Sequence, residues 1–212
     1  MVSYLTDRTW VAAILLVGLS TPIAAEEAVR PEVVVEVFNH ARLSADTLMR
    51  AMAEVSRIYR ETGVEVLWTD AATPDAPRRF IRLFIRQTPS RPRVMGTALS
   101  NPHLGGGTAV VYHDRVLDVA QARVLDLACV LAYAMAHEMG HLLLPYPSHA
   151  VTGIMRADWD GGDFQQISTG SLRFTPTHAK AIRTTATGWS GPNFITETMD
   201  SAAPQLLMHG AR

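Results

Sequence analysis

Residues 124–143 read VLDLACVLAYAMAHEMGHLL, and the rest of the chain is read outward from them. Val124, Leu125, Leu127, Val130, Leu131, Ala134 and Met135 recur so densely that a helix here keeps little polar face. A helix apolar on nearly all sides is buried. The helical pattern reaches back to about Leu117 and runs to Leu143, where Pro145 and Pro147 end it. A buried helix must be covered by other elements of the chain.

The upstream segments supply a sheet and a further helix. Pro31 to Phe38 (PEVVVEVF) is β-branched and alternating, which predicts a strand. Ser44 caps a helix whose Leu48, Met52, Val55, Ile58 and Tyr59 fall at helical spacing, and Thr62-Gly63 stops it. Val64 to Trp68 predicts a second strand, after which Thr69 to Arg78, with two prolines, reads as a loop. Phe80 to Arg86 (FIRLFIR) predicts a third strand, with Arg82 and Arg86 on one face. Gly96 to Gly107 reads as a loop and Thr108 to Tyr112 as a fourth strand. Beyond the buried helix a loop is expected through Asp163. Thr175-Pro176 then opens a short helix to about Thr185. The expected fold class is α+β: a single domain with a mixed twisted sheet of four to five strands, packed on a backing helix and on the buried helix. Its bounds are 26–188, followed by a loose tail over 189–212.

Composition narrows the function. The 212 residues carry 48% hydrophobic and 18% charged side chains, enough to build a core. With 19 Lys+Arg against 20 Asp+Glu the net charge is −1, so the electrostatic footprint of a nucleic-acid binder is missing. The single cysteine, Cys129, excludes an internal disulfide and an all-cysteine zinc site.

Trp10 to Leu19 (WVAAILLVGL) is an apolar run too short to span a bilayer, which takes roughly 20 residues. Thr21-Pro22 ends it, and Ala24-Ala25 precede Glu26. That layout is a signal peptide over 1–25, so the mature chain is expected to be exported, periplasmic or extracellular, without stable membrane association.

The last turns of the buried helix read His137-Glu138-Met139-Gly140-His141, the pattern H-E-x-x-H. Four residues make about one helical turn, so both imidazoles project from one face and can bind one Zn²⁺. Glu138, beside the first of them, can reach water at the metal, the general-base position of a metalloprotease. Catalytic zinc usually takes three protein ligands. The next histidine is His149, eight residues past His141 and beyond two prolines. Asp158, Asp160 and Asp163 are rivals for the third position, because some zinc hydrolases use a carboxylate there.

HEMGH, then a loop histidine, then Gly153-Ile154-Met155, resembles the metzincin group of zinc metallopeptidases. More narrowly, AHEMGHLLL…SHAVTGIMRADW is similar to exported bacterial proteins that share this arrangement. The resemblance implies His137, His141 and His149 as ligands, Glu138 as general base and Met155 as the methionine of the turn beneath the metal. It departs from H-E-x-x-H-x-x-G-x-x-H at Leu144 and Pro147, so the third histidine arrives two residues late, and no tyrosine follows Tyr146. It also implies that Gly105 to Tyr112 forms a rim of the cleft, to which an extended peptide adds as a strand. The expected function is therefore a secreted zinc-dependent metalloendopeptidase acting on peptide or protein. The same site chemistry also fits a zinc hydrolase of a non-protein amide, or an inactive zinc-binding protein of the same fold.

Overall fold

The computed structural model describes residues 30–69, 80–88, 94–100 and 106–190. The expected signal peptide and residues 191–212 of the expected tail lie outside them, as do residues 70–79 of the expected loop after the second strand.

Strand β1 (Glu32–Asn39) leads through helix α1 (Ala45–Glu61) to β2 (Glu65–Thr69), and β3 (Ile81–Arg86), β4 (Gly96–Ser100) and β5 (Gly107–Tyr112) complete the sheet. The strand order is β2-β1-β3-β5-β4, with β4 antiparallel to β5 and every other pairing parallel. Helices α2 (His113–Arg123), α3 (Leu127–Leu143), α4 (Gly161–Ser168) and α5 (Pro176–Ser190) follow. The expected α+β class, with a mixed sheet on a backing helix and a buried helix, holds. No helix among the described residues is long and apolar enough to cross a membrane.

Period-two alternation builds the sheet. Ile81, Leu83 and Ile85 are buried, whereas Arg82 and Arg86 are exposed together on the other face. Val33, Val35, Ala109 and Val111 continue the buried face into neighbouring strands. Helix α1 starts where Ser44 accepts a hydrogen bond from Thr47 N–H, and it buries Ala51, Val55, Ile58 and Tyr59. Helix α3 lies deepest, with Val130 to Ala136 and Met139 almost wholly enclosed. The buried Tyr59 hydroxyl donates to Ala136 O at 2.9 Å, which ties the backing helix to the last turns of α3.

Four expectations change. The single helix from Leu117 to Leu143 is two helices. Val124 takes a left-handed conformation (φ 56°) that ends α2, and Asp126 starts α3 by accepting from Cys129 N–H at 3.1 Å. Apolar residues on both sides of the break hide it from a periodicity reading. The loop expected over 96–107 contains β4, a short antiparallel partner of β5. The loop expected to run through Asp163 gives way to α4 at Gly161. Asp160 and Asp163 form a reciprocal capping box there, and Phe164 and Ile167 are buried. Helix α5 begins at Pro176 as expected but continues past Thr185, and past the expected start of the tail, to Ser190.

Candidate metal centre and cleft

Helix α3 delivers His137, Glu138 and His141 by spacing alone. The two imidazole rings stand edge to face, centroids 4.7 Å apart, with Nε2 to Nε2 at 3.0 Å. After Leu144 the chain turns through Pro145 and a cis Tyr146–Pro147 bond and returns His149 to the same place. Its ring centroid lies 4.8 Å from that of His141 and 5.5 Å from that of His137. One nitrogen from each of the three lies within 4.8 Å of the others.

The other ring nitrogens are engaged. His137 Nδ1 sits 2.8 Å from Ile154 O, which can only accept. Nδ1 therefore carries the proton, and Nε2 keeps its lone pair toward the cluster. The same carbonyl accepts from Trp159 Nε1 at 3.1 Å. His141 Nδ1 lies 2.6 Å from the buried Ser148 hydroxyl, which can accept its proton and leave Nε2 free in the same way.

The segment supplying Ile154 turns tightly under the helix, where Ala150 N–H donates to Met155 O and Ile154 N–H to Arg173 O. Met155 is fully buried. A Cβ on Gly140 would sit 2.5 Å from Met155 Sδ, so only glycine lets this turn lie so close beneath the histidines.

Glu138 faces the cleft against β4. A Cβ on Gly96 would meet its Cγ and Oε1 at 2.6 Å, so the missing side chain is what seats the carboxyl. Glu138 is 5% exposed, and its Oε2 has no hydrogen-bond partner. Burial pushes this carboxyl up to about 8, and burial pulls His137 and His141 down to about 4.

These directions set opposite pH dependences once metal has been stripped by a chelator. The raised Glu138 contributes stability that is fully present below 4.5 and is lost as pH rises toward about 8. The depressed histidines contribute stability present above 6.5 and lost as pH falls toward about 4. Glu138→Gln should therefore raise the unfolding free energy of chelated protein, read by urea titration, at pH 9 by no more than about 5 kcal/mol, and change it little at pH 5. An identical difference at both pH values would mean that the carboxyl is solvated.

These groups line a cleft of about 940 Å³. One wall is β4, the end strand of the sheet among the described residues. The opposite side is Arg156 to Trp159 and Phe164, and α2 adds Arg115, Asp118, Val119, Ala122 and Arg123. The rim strand expected over Gly105 to Tyr112 is not the open edge. Among the described residues β5 pairs with β3 on one side and β4 on the other, so it has no free edge to offer a peptide. Gly105 itself lies outside those residues.

Of the rival acids, Asp160 and Asp163 cap α4 and hold Arg156 (Nη1 to Asp163 at 3.0 Å), and Asp158 is exposed on the cleft wall. None joins the three-nitrogen cluster. Sequence reasoning passed over Gly96, Ser148 and Arg115. The adjacency of Ser148 to a candidate ligand was the one available signal.

No protein-family model matches the chain, and no curated protein matches it by sequence. Solved structures similar to it include the following three. A zinc-dependent peptidase from Methanocorpusculum labreanum has TM-score 0.48 and 14% identity, over 70% of this chain and 99% of that one. An archaemetzincin from Methanopyrus kandleri has TM-score 0.44 and 16% identity, over 77% and 99%. Metalloproteinase-II from Bacteroides fragilis has TM-score 0.43 and 11% identity, over 74% of this chain and 53% of that one. The functional reading rests on this chain's own side chains.

Proposed function

We propose that the chain is an exported zinc-dependent endopeptidase of metzincin type. The observation that carries the reading is the convergence of three imidazoles within 4.8 Å beside a buried carboxyl with an unpartnered oxygen. The donor set suits zinc. Three neutral nitrogens leave room for water or substrate, and two of the rings are oriented by Ile154 O and Ser148 Oγ. His137, His141 and His149 would hold the ion, with Met155 as the turn methionine below them.

Bound there, zinc supplies Lewis-acid polarisation of the scissile carbonyl and acidification of water. Glu138 takes the proton on its free carboxylate oxygen and passes it to the leaving amine. Among the described residues β4 is the end strand of the sheet, an edge to which an extended peptide can add, which supports a peptide substrate over other amides. Export rests on the apolar run Trp10 to Leu19 and the small residues before Glu26.

The test is elemental analysis of purified protein with cleavage of a peptide library. About one zinc per chain with peptide cleavage is expected, and zinc-free protein after reloading would overturn the reading. A second expectation isolates the support of His141. Ser148→Ala should weaken zinc binding about 10–100-fold in a chelator competition, and Ser148→Thr should restore part of it. Unchanged affinity in Ser148→Ala would show that the hydroxyl does not orient the ring.

A further inference from the structure

We propose that Arg115 forms a carboxylate-binding subsite in the cleft, so that the chain selects peptides presenting one acidic side chain or a free C-terminus there. The inference rests on the peptidase reading and names its substrate class.

Arg115 stands in the first turn of α2, three residues after Tyr112. Tyr112 N–H donates to Met95 O at 2.8 Å, which fastens the start of α2 to the start of β4. Arg115 therefore lies at the Val94–Met95 end of the edge strand, in the wall of the cleft that holds His137 and Glu138. A peptide laid along β4 toward this end passes it.

Its Nε is buried without a hydrogen-bond partner. No carboxylate among the described residues lies in ion-pair contact with it, and Asp118, one turn on, is no exception. Arg57, Arg60, Arg156 and Arg173 each hold a carboxylate by contrast. A guanidinium N–H shut off from water with no acceptor carries a desolvation cost that an anionic ligand offsets. Its planar fork matches the two oxygens of a carboxylate. Met95 and Val119, one turn on from Arg115 in α2, are apolar residues of the same cleft lining, and a charge pair that is partly withdrawn from water is stronger. Arg123 adds a second cation on α2, over the Phe164 ring at 4.7 Å, whereas Asp118 disfavours a second acidic group beside the first. The preference is thus for one acid, not a run.

The test uses zinc-loaded Glu138→Gln protein for binding and the wild-type chain for cleavage. The probes are one peptide sequence with Glu or Gln scanned through its positions, each with a free or amidated C-terminus. At one position, or at the terminus, the carboxylate form should bind about tenfold tighter or more than its neutral counterpart and be cleaved with correspondingly higher kcat/KM. Dependence on internal Glu assigns a side-chain subsite, and dependence on the free terminus assigns an end-reading one. Arg115→Met should abolish the preference, Arg115→Lys should keep part of it, and Arg115→Glu should turn it toward Lys. Equal cleavage of all probes by wild type overturns the subsite and leaves the peptidase reading standing. Discrimination in binding without any cleavage keeps the subsite and overturns the peptidase reading. A preference that survives Arg115→Met, or no binding of any probe, overturns the subsite.

Discussion

Glu138→Gln should leave zinc bound and reduce peptide hydrolysis by about 10²–10⁴-fold in kcat/KM, the usual contribution of a positioned general base. The substitution keeps the size and planarity of the side chain, so the pocket above Gly96 that seats Oε1 and Cγ still fits it. It removes only the ability to take a proton. The histidine nitrogens are untouched: His137 stays oriented by Ile154 O and His141 by Ser148 Oγ. Zinc content and kcat/KM measured on the same preparation separate the two roles. Hydrolysis retained in full would falsify Glu138 as the base. Loss of zinc would show that the carboxyl shapes the metal centre.

His149→Ala should lower zinc affinity by more than the 10–100-fold typical of a lost supporting hydrogen bond, because it removes one of three donors. The comparison lies with the acids that compete for this role in the sequence. Asp160→Ala and Asp163→Ala should keep zinc and instead cost about 0.5–2 kcal/mol through the lost cap of α4. Asp158→Ala should keep zinc with little change in stability, since its side chain lies outside the nitrogen cluster. Chelator competition on the four variants decides between them. Undiminished zinc in His149→Ala, with loss in any aspartate variant, would move the third ligand and undo the likeness to the metzincin motif.

The parts legible in advance were those governed by local periodicity. The alternation in FIRLFIR placed Ile81, Leu83 and Ile85 inside and both arginines outside. Ser44 marked the start of α1. The four-residue step from His137 to His141 put two rings on one helix face before any tertiary contact was known. What escaped depends on partners remote in sequence. Strand β4 has five residues and becomes a strand only by pairing Gly96–Ser100 with Gly107–Val111. Among the described residues that pairing puts β4, not β5, at the end of the sheet. Helix α4 begins with two glycines, poor helix formers, and is held by its capping box and by the burial of Phe164 and Ile167.

By itself the sequence determined an α+β domain with a buried helix carrying H-E-x-x-H, because side-chain spacing on a regular backbone fixes which groups share a face. It could not choose between His149 and the three aspartates, since the path from Leu144 to Trp159 has no regular repeat. Tertiary structure decided that choice of neighbours. The turn at Pro145–Pro147 returns His149 to within 4.8 Å of the helix histidines, and the capping of α4 draws Asp160 and Asp163 away. It also revealed Gly96 under Glu138, Ser148 behind His141 and the unpaired Arg115 in the cleft wall. Each of these depends on which distant atoms lie within hydrogen-bond or van der Waals reach, and only the packed chain sets those distances.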